Sequence, residues 1–280
     1  MTPNELSAGS QVGGYRLDRL LGEGGMGQVY EARGPDGARV ALKVIRGRFA
    51  QDDTFRRRFR LEARIAQEVV HPSLVPVLAA GEDEGVPYIV QEFIEGRSLE
   101  AELELTGPLE VPVAIGIGSD VAAGLEALWD AGMVHRDVKP ANILLAGGRA
   151  VITDFGLAKD TRGPALTLQG QVFGSPDYMA PEQIRQHPVT AATDVYALGC
   201  VMYECLCGRA PFAHAESPFR VRWCHLQEEP PDPRRSRPDL SPALAEALLH
   251  ALEKEPDRRP DSAGDYLGSL AAAASGGTGY

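Results

Sequence analysis

Residues 135–142, with the sequence His-Arg-Asp-Val-Lys-Pro-Ala-Asn, place a carboxylate, a lysine and an amide close together. An apolar pair precedes this segment and the apolar residues 143–145 follow it, so the polar groups lie in a loop between two hydrophobic anchors. These residue types suit a site that handles an anionic phosphoryl group, a metal ion and a hydroxyl nucleophile. An isolated His-Arg-Asp is equally compatible with a polar surface turn, so the rest of the chain has to decide between the two.

The composition narrows the class of protein. A chain of 280 residues is long enough for one large domain or for two fused lobes that share a cleft. Its 44% hydrophobic and 24% charged residues are ordinary for a globular protein. The formal net charge of −11 argues against non-specific nucleic-acid binding, which needs a basic face, so we expect no nucleic-acid partner.

The cysteines and the chain start indicate the compartment. Three of the four cysteines, Cys200, Cys205 and Cys207, lie in one apolar helical run, and the fourth is Cys224. This spacing favours small core residues in a reducing compartment over a disulfide set or a zinc site. No signal peptide and no apolar stretch of membrane-spanning length is apparent. We therefore expect a cytoplasmic chain, with the alternative that it is the cytoplasmic part of a longer, membrane-anchored protein.

A glycine-rich segment occupies residues 22–29, Gly-Glu-Gly-Gly-Met-Gly-Gln-Val, between predicted strands at 15–21 and 29–32. Glycines allow backbone N–H groups to approach a phosphate closely. A dinucleotide-binding fold would place a helix after these glycines, whereas here a strand follows. The motif alone is weak evidence, because glycine-rich hairpins are common.

A lysine and a glutamate occupy positions where charges are unexpected. Alternation in the predicted strand 40–45 places Lys43 on one face with two apolar neighbours. The predicted helix 52–70 has an apolar stripe formed by Phe55, Phe59, Ala66 and Val69. Glu62 lies on the same stripe. A lysine among apolar residues needs an anionic partner, and Glu62 is the natural one; the alternative is a solvated Glu62 at the edge of the stripe.

The remaining pattern changes from strands to helices near residues 93–96, which is where we place a lobe boundary. Two strands precede this boundary, at 75–79 and 86–93, and helices are predicted after it at 113–129, 194–207, 241–252 and 262–272. The apolar stripe of the first of these helices is predicted at Val113, Ile117, Val121, Leu125 and Leu128. A further strand brings Asp154 to a glycine turn, and residues 157–181 show little helical pattern, which is typical of a mobile segment.

Together these motifs resemble the Hanks-type (eukaryotic-like) serine/threonine protein kinases, and most closely the bacterial branch. The similarity covers residues 13–272. Its motifs are the glycine-rich segment, Val-Ala-Leu-Lys at 40–43, the 135–142 octet, Asp-Phe-Gly at 154–156 and Ala-Pro-Glu at 180–182. The resemblance implies an α+β, bilobal kinase fold. It has a small β-rich lobe with one long helix at about 13–93, a larger and mainly helical lobe at about 97–272, and flexible ends at 1–12 and 273–280.

The resemblance also implies a reaction and roles for residues. ATP would donate its γ-phosphoryl group to serine or threonine hydroxyls of protein substrates, with Mg²⁺ held by Asn142 and Asp154. Asp137 would act on the hydroxyl proton, Lys139 would neutralise charge on the transferring group, and Lys43, positioned by Glu62, would hold the α- and β-phosphates. The nucleotide-binding set is Gly22, Glu23, Gly24, Gly25, Met26, Gly27, Val29, Ala41, Lys43, Gln91, Glu92, Ile94 and Leu144.

Regulation and scaffolding are implied in the same way. Phosphorylation of Thr167, or of Thr161 as the second candidate, would order the mobile segment through Arg136. Ser175 stands where the family often has threonine, and its hydroxyl would bridge Asp137 and Lys139. The resemblance further implies a Glu182–Arg259 pair and an anchoring role for Asp194. Gln91 stands at the gatekeeper position, where it would bond the adenine amino group or Glu62, or only fill space.

Three alternatives to an active protein kinase remain open at this point. A pseudokinase scaffold would lack at least one of Lys43, Asp137, Asn142 and Asp154, and all four are present. A small-molecule phosphotransferase would usually lack a full Ala-Pro-Glu segment and the glycine-rich loop. A binding module would use the arginine-rich face at 56–60, for which a solvated surface is the plainer interpretation; this alternative includes a homodimer through the β-rich lobe.

Overall fold

The computed structural model describes residues 6–24, 27–45, 53–154 and 176–276. Within these ranges the chain divides into two compact units, the first through Glu95 and the second from Gly96 on. The first is built mainly of strands and the second mainly of helices. The predicted fold class, an α+β bilobal kinase fold, is confirmed.

The first unit, in its described part, has an antiparallel sheet and one helix. The elements are β1 (Gln11–Val12), β2 (Tyr15–Gly24), β3 (Gly27–Arg33), β4 (Arg39–Ile45), α1 (Asp53–Glu68), β5 (Val77–Asp83) and β6 (Val86–Glu92). The strand order is β1-β2-β3-β4-β6-β5, so all neighbours except β4–β6 are consecutive strands. Such an order follows from short hairpin connections between antiparallel strands.

Alternation of buried and half-exposed residues in β4 fixes its two faces. Val40, Leu42 and Val44 are buried, whereas Ala41 and Lys43 are half-buried. The three buried side chains join residues from β1, β2, β3 and β6 in one apolar cluster. The predicted division of this strand into two faces is therefore confirmed, and Lys43 stands on the face opposite these three residues.

Helix α1 covers most of the predicted range and buries one stripe, formed by Phe55, Phe59, Ala63 and Ala66. The prediction that Val69 belongs to this stripe is wrong, because the helix ends at Glu68 and Val69 is only half-buried beyond it. Glu62 lies next to the buried stripe and is half-buried.

The second unit begins with a small sheet and continues as helices. Its elements are β7 (Arg97–Ser98), α2 (Leu99–Thr106), α3 (Val111–Asp130), β8 (Ile143–Ala146), β9 (Arg149–Ile152), α4 (Pro181–Ile184), α5 (Ala191–Cys207), α6 (Pro218–Gln227), α7 (Pro242–His250) and α8 (Ala263–Ser275). The strands pair in the order β7-β8-β9. Nearly every residue of α5 is buried, as its apolar sequence predicts for a central helix.

Helix α3 corrects two expectations. Val113, predicted on its inward stripe, is 52% exposed, because the helix buries the neighbouring face that contains Ala114 and Gly118. A Cβ at Gly118 would lie 2.6 Å from the sulfur of Met202, so only glycine permits this close packing. The helix is also long and apolar enough to cross a membrane by length and composition alone, with a mean hydropathy of 1.4. The expectation that no stretch reaches that length is thus wrong, although this helix packs within the second unit.

Three helices were not predicted, namely α2, α4 and α6. Two of them begin with a serine that accepts a hydrogen bond from a backbone N–H three residues later: Ser98 from Ala101 (3.1 Å) and Ser217 from Arg220 (3.2 Å). These are ordinary N-cap signals, and Pro218 at the first position of α6 reinforces the second. The signals were present in the sequence, but these helices are too short to show a clear apolar period.

Candidate active site

The backbone of the 135–142 loop is held by one buried carboxylate from α5. Asp194 Oδ2 accepts hydrogen bonds from the backbone N–H of His135 (2.8 Å) and from Trp129 Nε1 (3.0 Å). Its Oδ1 accepts a third, from the backbone N–H of Arg136 (2.8 Å). Burial raises the pKa of Asp194, and the three N–H donors oppose that shift. The anchoring role implied for Asp194 is confirmed.

Arg136 has a left-handed backbone, with φ of +65°, which is unfavourable for a residue with a Cβ. Two contacts hold this conformation in place. Its N–H is bound by Asp194, and its carbonyl oxygen accepts a hydrogen bond from Gln183 Nε2 in α4 at 3.1 Å. The turn just before Asp137 is thus fixed from two other elements.

Asp137, Lys139 and Asn142 form the chemical centre of the loop. Lys139 Nζ lies 3.2 Å from Asp137 Oδ2. Asn142 Nδ2 donates to the Asp137 carbonyl oxygen (2.8 Å) and to its Oδ2 (3.1 Å). The amide N–H groups are therefore directed at Asp137, which leaves the Asn142 carbonyl oxygen as an acceptor for another group. The structure brings these three predicted residues together.

His135 and Asn142 tie the loop to the segment that carries Asp154. The backbone N–H of Asp137 donates to His135 Nδ1 (3.2 Å), so Nε2 is the protonated nitrogen and donates to the Thr153 carbonyl oxygen (3.1 Å). The Thr153 N–H in turn donates to the Asn142 carbonyl oxygen of the main chain (2.9 Å). Asp154 follows directly, with φ of +59°.

This arrangement fits a hard divalent cation. The side chains available are the carboxylate of Asp154 and the amide oxygen of Asn142, and oxygen ligands of this kind suit Mg²⁺. Because Asn142 donates its side-chain N–H groups to Asp137, its amide oxygen is left as an acceptor for another group, such as a cation.

A buried ion pair supports the segment after the Ala-Pro-Glu motif. Arg259 binds both carboxylate oxygens of Glu182 at 2.8 Å, and Thr193 Oγ1 donates to one of them, also at 2.8 Å. Burial raises the pKa of Glu182, but the bonds from Arg259 and Thr193 outweigh that shift and lower it. The implied Glu182–Arg259 pair is confirmed, and it remains charged at neutral pH.

In the first unit, strand pairing shows which of the predicted nucleotide-binding residues are neighbours. Val29 lies opposite Gly22 on β2 and opposite Lys43 on β4. Ala41 lies opposite Gln91, whose side chain is 4% exposed. A Cβ at Gly27 would lie 1.9 Å from the Val44 carbonyl oxygen, so the strand after the glycine-rich turn requires glycine there.

The other predicted residues fall in three groups. Gly22, Glu23 and Gly24 end β2 and are exposed, Glu92 ends β6, and Ile94 follows it half-buried. Leu144 belongs to the second unit, on β8, opposite Ser98 and Val151. Gly25, Met26, Thr161, Thr167, Ser175 and the Phe-Gly of residues 155–156 lie outside the described residues.

Sequence reasoning did not predict an acidic pocket in the second unit. A cavity of about 400 Å³ is lined by Glu100, Lys139, Asp177 and Glu204, among others. Tyr178 donates to Glu204 Oε2 at 2.5 Å. Burial raises the pKa of Glu204, the Tyr178 hydroxyl opposes that shift, and the charges of Asp177 and Glu100 add to it. A carboxylate inside the otherwise apolar α5 sequence was the signal that could have revealed it.

The arginine-rich start of α1 is largely paired with nearby acids. Arg56 contacts Asp53, and Arg56 and Arg60 lie 3.2 and 3.0 Å from the two carboxylate oxygens of Glu82 on β5. These exposed contacts agree with the interpretation of this face as solvated surface.

Comparison with known proteins identifies the family. The pattern of the protein kinase domain family matches residues 15–266. This chain belongs to that family, in its Hanks-type bacterial serine/threonine branch. Protein kinases as a family use ATP and a divalent cation.

Several relatives are similar over most of the chain. The serine/threonine-protein kinase PknD of Mycobacterium tuberculosis is 43% identical over 239 residues, which is 84% of this chain and 36% of the relative. PknH of Mycobacterium bovis is 40% identical over 84% of this chain and 40% of the relative. A probable serine/threonine-protein kinase of Corynebacterium efficiens is 43% identical over 81% of this chain. The chain thus spans well under half the length of these relatives.

Solved structures show the same fold. The crystal structure of the PknI kinase domain of Mycobacterium tuberculosis superposes on this kinase domain with a TM-score of 0.80 at 30% identity. The superposition covers 97% of this chain and 100% of the PknI chain.

Proposed function

We propose that this kinase domain is catalytically active and transfers the γ-phosphoryl group of ATP to serine and threonine hydroxyls of proteins. The observation that carries the proposal is the Asp137–Lys139–Asn142 arrangement. A carboxylate lies 3.2 Å from a lysine and is bound by an amide, on a backbone fixed from neighbouring helices. Phosphoryl transfer is catalysed mainly by positioning and by charge stabilisation, and this loop is built for both.

Each residue of the loop has a separate task in this proposal. Asp137 accepts the proton of the substrate hydroxyl. A hydrogen bond from Asn142 holds the Asp137 carboxylate in place for this step. Lys139 offsets negative charge on the transferring group and is already placed beside Asp137. Asn142 and Asp154 hold Mg²⁺, which supplies neutralisation of phosphate charge when it is bound.

The first unit holds the nucleotide in this proposal. Lys43 binds the α- and β-phosphates with Glu62 as its partner, and the strand pairing of Val29 with Lys43 brings the lysine next to the glycine-rich turn. Val29 and Ala41 contact the adenine, and the backbone of Glu92 and Ile94 bonds its edge. Gln91 is buried and lies opposite Ala41, where it would bond the adenine amino group or Glu62, or only fill space.

The acidic pocket supports a preference for basic substrates. Glu100, Asp177 and Glu204 line a cavity that also includes Arg209 and, from the catalytic loop, Lys139. Burial raises the pKa of Glu204, the Tyr178 hydroxyl opposes that shift, and the charges of Asp177 and Glu100 add to it. A substrate arginine or lysine would offset this repulsion between the carboxylates. We therefore infer that the protein substrate has a basic side chain near the acceptor hydroxyl.

The regulatory part of the proposal concerns the segment outside the described residues. In this proposal the Arg136 side chain forms an ion pair with phosphorylated Thr167, or else with phosphorylated Thr161. The Arg136 backbone directly precedes Asp137 and is held by Asp194 and Gln183. Ser175 bridges Asp137 and Lys139. A Thr167→Ala variant is expected to lose activity and protease protection of this segment; unchanged values of both would contradict this part.

A homodimer through the first unit and a cytoplasmic location are two further proposals. The cytoplasmic location is supported by four buried free thiols.

The deciding experiment is phosphorylation with purified protein. Wild type is incubated with Mg-ATP and a generic basic protein, and phosphosites are mapped by mass spectrometry. Asp137→Asn and Lys43→Met should each lower the rate by about 10²–10⁴-fold. An exposed carboxylate, tested as Asp239→Asn, is the matched control and should leave the rate unchanged. Chelation of divalent cations should abolish transfer. No phosphate on the wild type or on the substrate protein would support the pseudokinase alternative instead.

A further inference from the structure

A second group of metal-ligating side chains lies around helix α6, apart from the catalytic loop. His214 comes from the turn before the helix, Cys224 lies within it, and Glu228 follows its last turn. One ligand atom from each lies within 4.8 Å of the other two. Cys224 and Glu228 are four residues apart, which places both on one side of the helix. The turn that carries His214 is closed by a hydrogen bond from the Ala215 N–H to the Phe212 carbonyl oxygen (3.0 Å).

The free carboxylate oxygen of Glu228 makes this group more than a chance cluster. Arg220 Nη2 binds Oε1 at 2.9 Å. The other oxygen, Oε2, is buried and accepts no hydrogen bond of normal geometry in the described part of the structure. The Cys224 thiol and the His214 imidazole are close to the Glu228 carboxylate, and contact with them helps to lower its pKa. It lies 3.7 Å from His214 Nε2, which is beyond hydrogen-bond distance. A buried acceptor without a partner is costly, and a cation at this point would satisfy it.

The donor set indicates the class of ion. A thiol, an imidazole and a carboxylate together are ligands of Zn²⁺, whereas Mg²⁺ and Ca²⁺ take oxygen ligands alone. In a tetrahedral zinc site with bonds of about 2.0–2.3 Å, ligand atoms lie about 3.3–3.7 Å apart. The separation of His214 and Glu228 is 3.7 Å, and the largest in the group is at most 4.8 Å, so small side-chain rotations suffice.

The three side chains extend from the surface of the unit to its interior. Cys224 is fully buried, whereas the His214 side chain is 51% exposed. A cation can therefore arrive at the imidazole and be held against the thiol. Binding would release the Cys224 proton to solvent, because the thiolate is the ligand form.

We propose that His214, Cys224 and Glu228 form a site for a zinc-type divalent cation, with water in the fourth position. The ion fastens the turn before α6 to the end of that helix. Phe219 and Trp223 of α6 are exposed, so the ion would add a link on a helix that is only partly buried. The proposal is independent of kinase activity, since none of its residues belongs to the catalytic loop.

Arg220 provides a specific test of the geometry. It binds Glu228 Oε1 and lies over the Trp223 ring at 4.1 Å, so its charge is close to the proposed ion and competes with it. Removing this charge should tighten cation binding while all three ligands remain. A Glu228 that served only as a partner of Arg220 would give no such gain.

The experiment uses Co²⁺ as a spectroscopic probe and Zn²⁺ as its competitor, with the full chain freed of metal by chelation. The expected result is one equivalent of Co²⁺ with the thiolate charge-transfer band and the visible bands of a tetrahedral ion, displaced by Zn²⁺. His214→Ala and Cys224→Ser should each weaken Zn²⁺ binding at least tenfold, and Arg220→Gln should strengthen it. His250→Ala removes an equally exposed imidazole and should change nothing.

Two results would overturn the proposal. One is the absence of a thiolate charge-transfer band in wild type at one equivalent of Co²⁺. The other is a band that persists in Cys224→Ser or is unaffected by His214→Ala. Because Cys224 is buried, its variant is first compared with wild type by thermal unfolding without metal. If Cys224→Ser does not fold, His214→Ala decides, since His214 is exposed and its loss leaves the core intact.

Discussion

The strand that carries Lys43 and the loop that carries Asp137 place their polar side chains by different means. On β4, each residue has a backbone partner on β3 or β6, and alternation alone puts Lys43 on the face opposite Val44. The 135–142 loop has only short local structure. Its backbone is bound by Asp194 and Gln183, which lie more than 40 residues later in the sequence. The position of Lys43 thus follows from the regular geometry of its strand. The position of Asp137 depends on hydrogen bonds with side chains far away in the sequence.

This difference has an energetic consequence. The core beneath β4 is an apolar cluster, so truncating one member costs transfer and cavity energy without leaving a polar group unpaired. The second unit instead buries charged and titratable groups, among them His135, Glu182, Asp194, His225 and Arg259. Removing one partner there leaves the other buried and unsatisfied, which costs more than the net value of the bond. The following predictions test this comparison from the largest expected effect to the smallest.

Arg259→Met should be the most destabilising change. The arginine binds both oxygens of Glu182 and three backbone carbonyl groups, and both side chains are almost inaccessible. Breaking such a buried pair costs about 3–5 kcal/mol of unfolding free energy. Urea unfolding measures it, with Arg234→Ala as the control because Arg234 pairs with Asp232 on the surface and its loss should leave the midpoint unchanged. Equal effects of the two changes would refute the role given to burial.

Asp194→Asn should lower stability and activity together. An amide keeps one acceptor oxygen but turns an NH₂ group toward a buried N–H donor, at a cost of about 1–3 kcal/mol. Displacement of the Arg136 turn would also move Asp137, so kcat/KM should fall on the order of 100-fold. The rate is measured at a temperature where the variant is fully folded. Normal activity in a destabilised variant would show that Asp194 supports the fold but not the loop geometry.

Val44→Ala tests the strand side of the comparison. Val44 is fully buried in the apolar cluster, next to Lys43 in sequence but on the other face. Loss of two buried carbons should lower the unfolding free energy by about 1.5 kcal/mol, with a further contribution from the cavity. The β-ladder should keep Lys43 in place, so the KM for ATP should change less than twofold. A large rise in that KM would mean that the ladder does not suffice to position Lys43.

The buried His225 should make the second unit sensitive to acid. Burial lowers the pKa of His225 to about 3, and the charge of Lys254 adds to that shift. In the unfolded chain the group titrates near pH 6.5, so below that value the unfolded state binds a proton that the folded state does not. Stability should therefore fall as the pH decreases, by about 1.2 kcal/mol between pH 7 and pH 5.5.

The measurement is urea unfolding at both pH values for wild type and His225→Gln. Glutamine can still accept the hydrogen bond from the Tyr196 hydroxyl, which lies 2.7 Å from His225 Nδ1. The variant should lose most of the pH dependence, and the exposed His250→Ala should retain it. An unchanged pH dependence in His225→Gln would assign the effect to other groups.

The sequence also predicted local, periodic structure better than structure that depends on packing between elements. Four strands of the first unit (β2, β3, β4 and β6) and the long helices were found near their observed bounds, because period and length are encoded in consecutive residues. The short strand β1 was not predicted, and β5 was predicted at 75–79 but is observed at Val77–Asp83. Val113 was misplaced because the inward face of a helix depends on what packs against it, here the close approach allowed by Gly118. Val69 was misplaced because helix α1 ends at Glu68, one residue earlier. The short helices α2 and α6 were missed although each has a serine N-cap.

By itself, the sequence determined the family, the fold class and the identity of the residues expected to act, since these follow from residue types in a fixed order. Tertiary structure decided how those residues are held. The three bonds to Asp194, the acidic pocket around Glu204 and the approach of His214 to Cys224 and Glu228 join residues that come from separate elements. Spacing along the chain does not report such contacts, because helix packing, and not a local period, brings these atoms together.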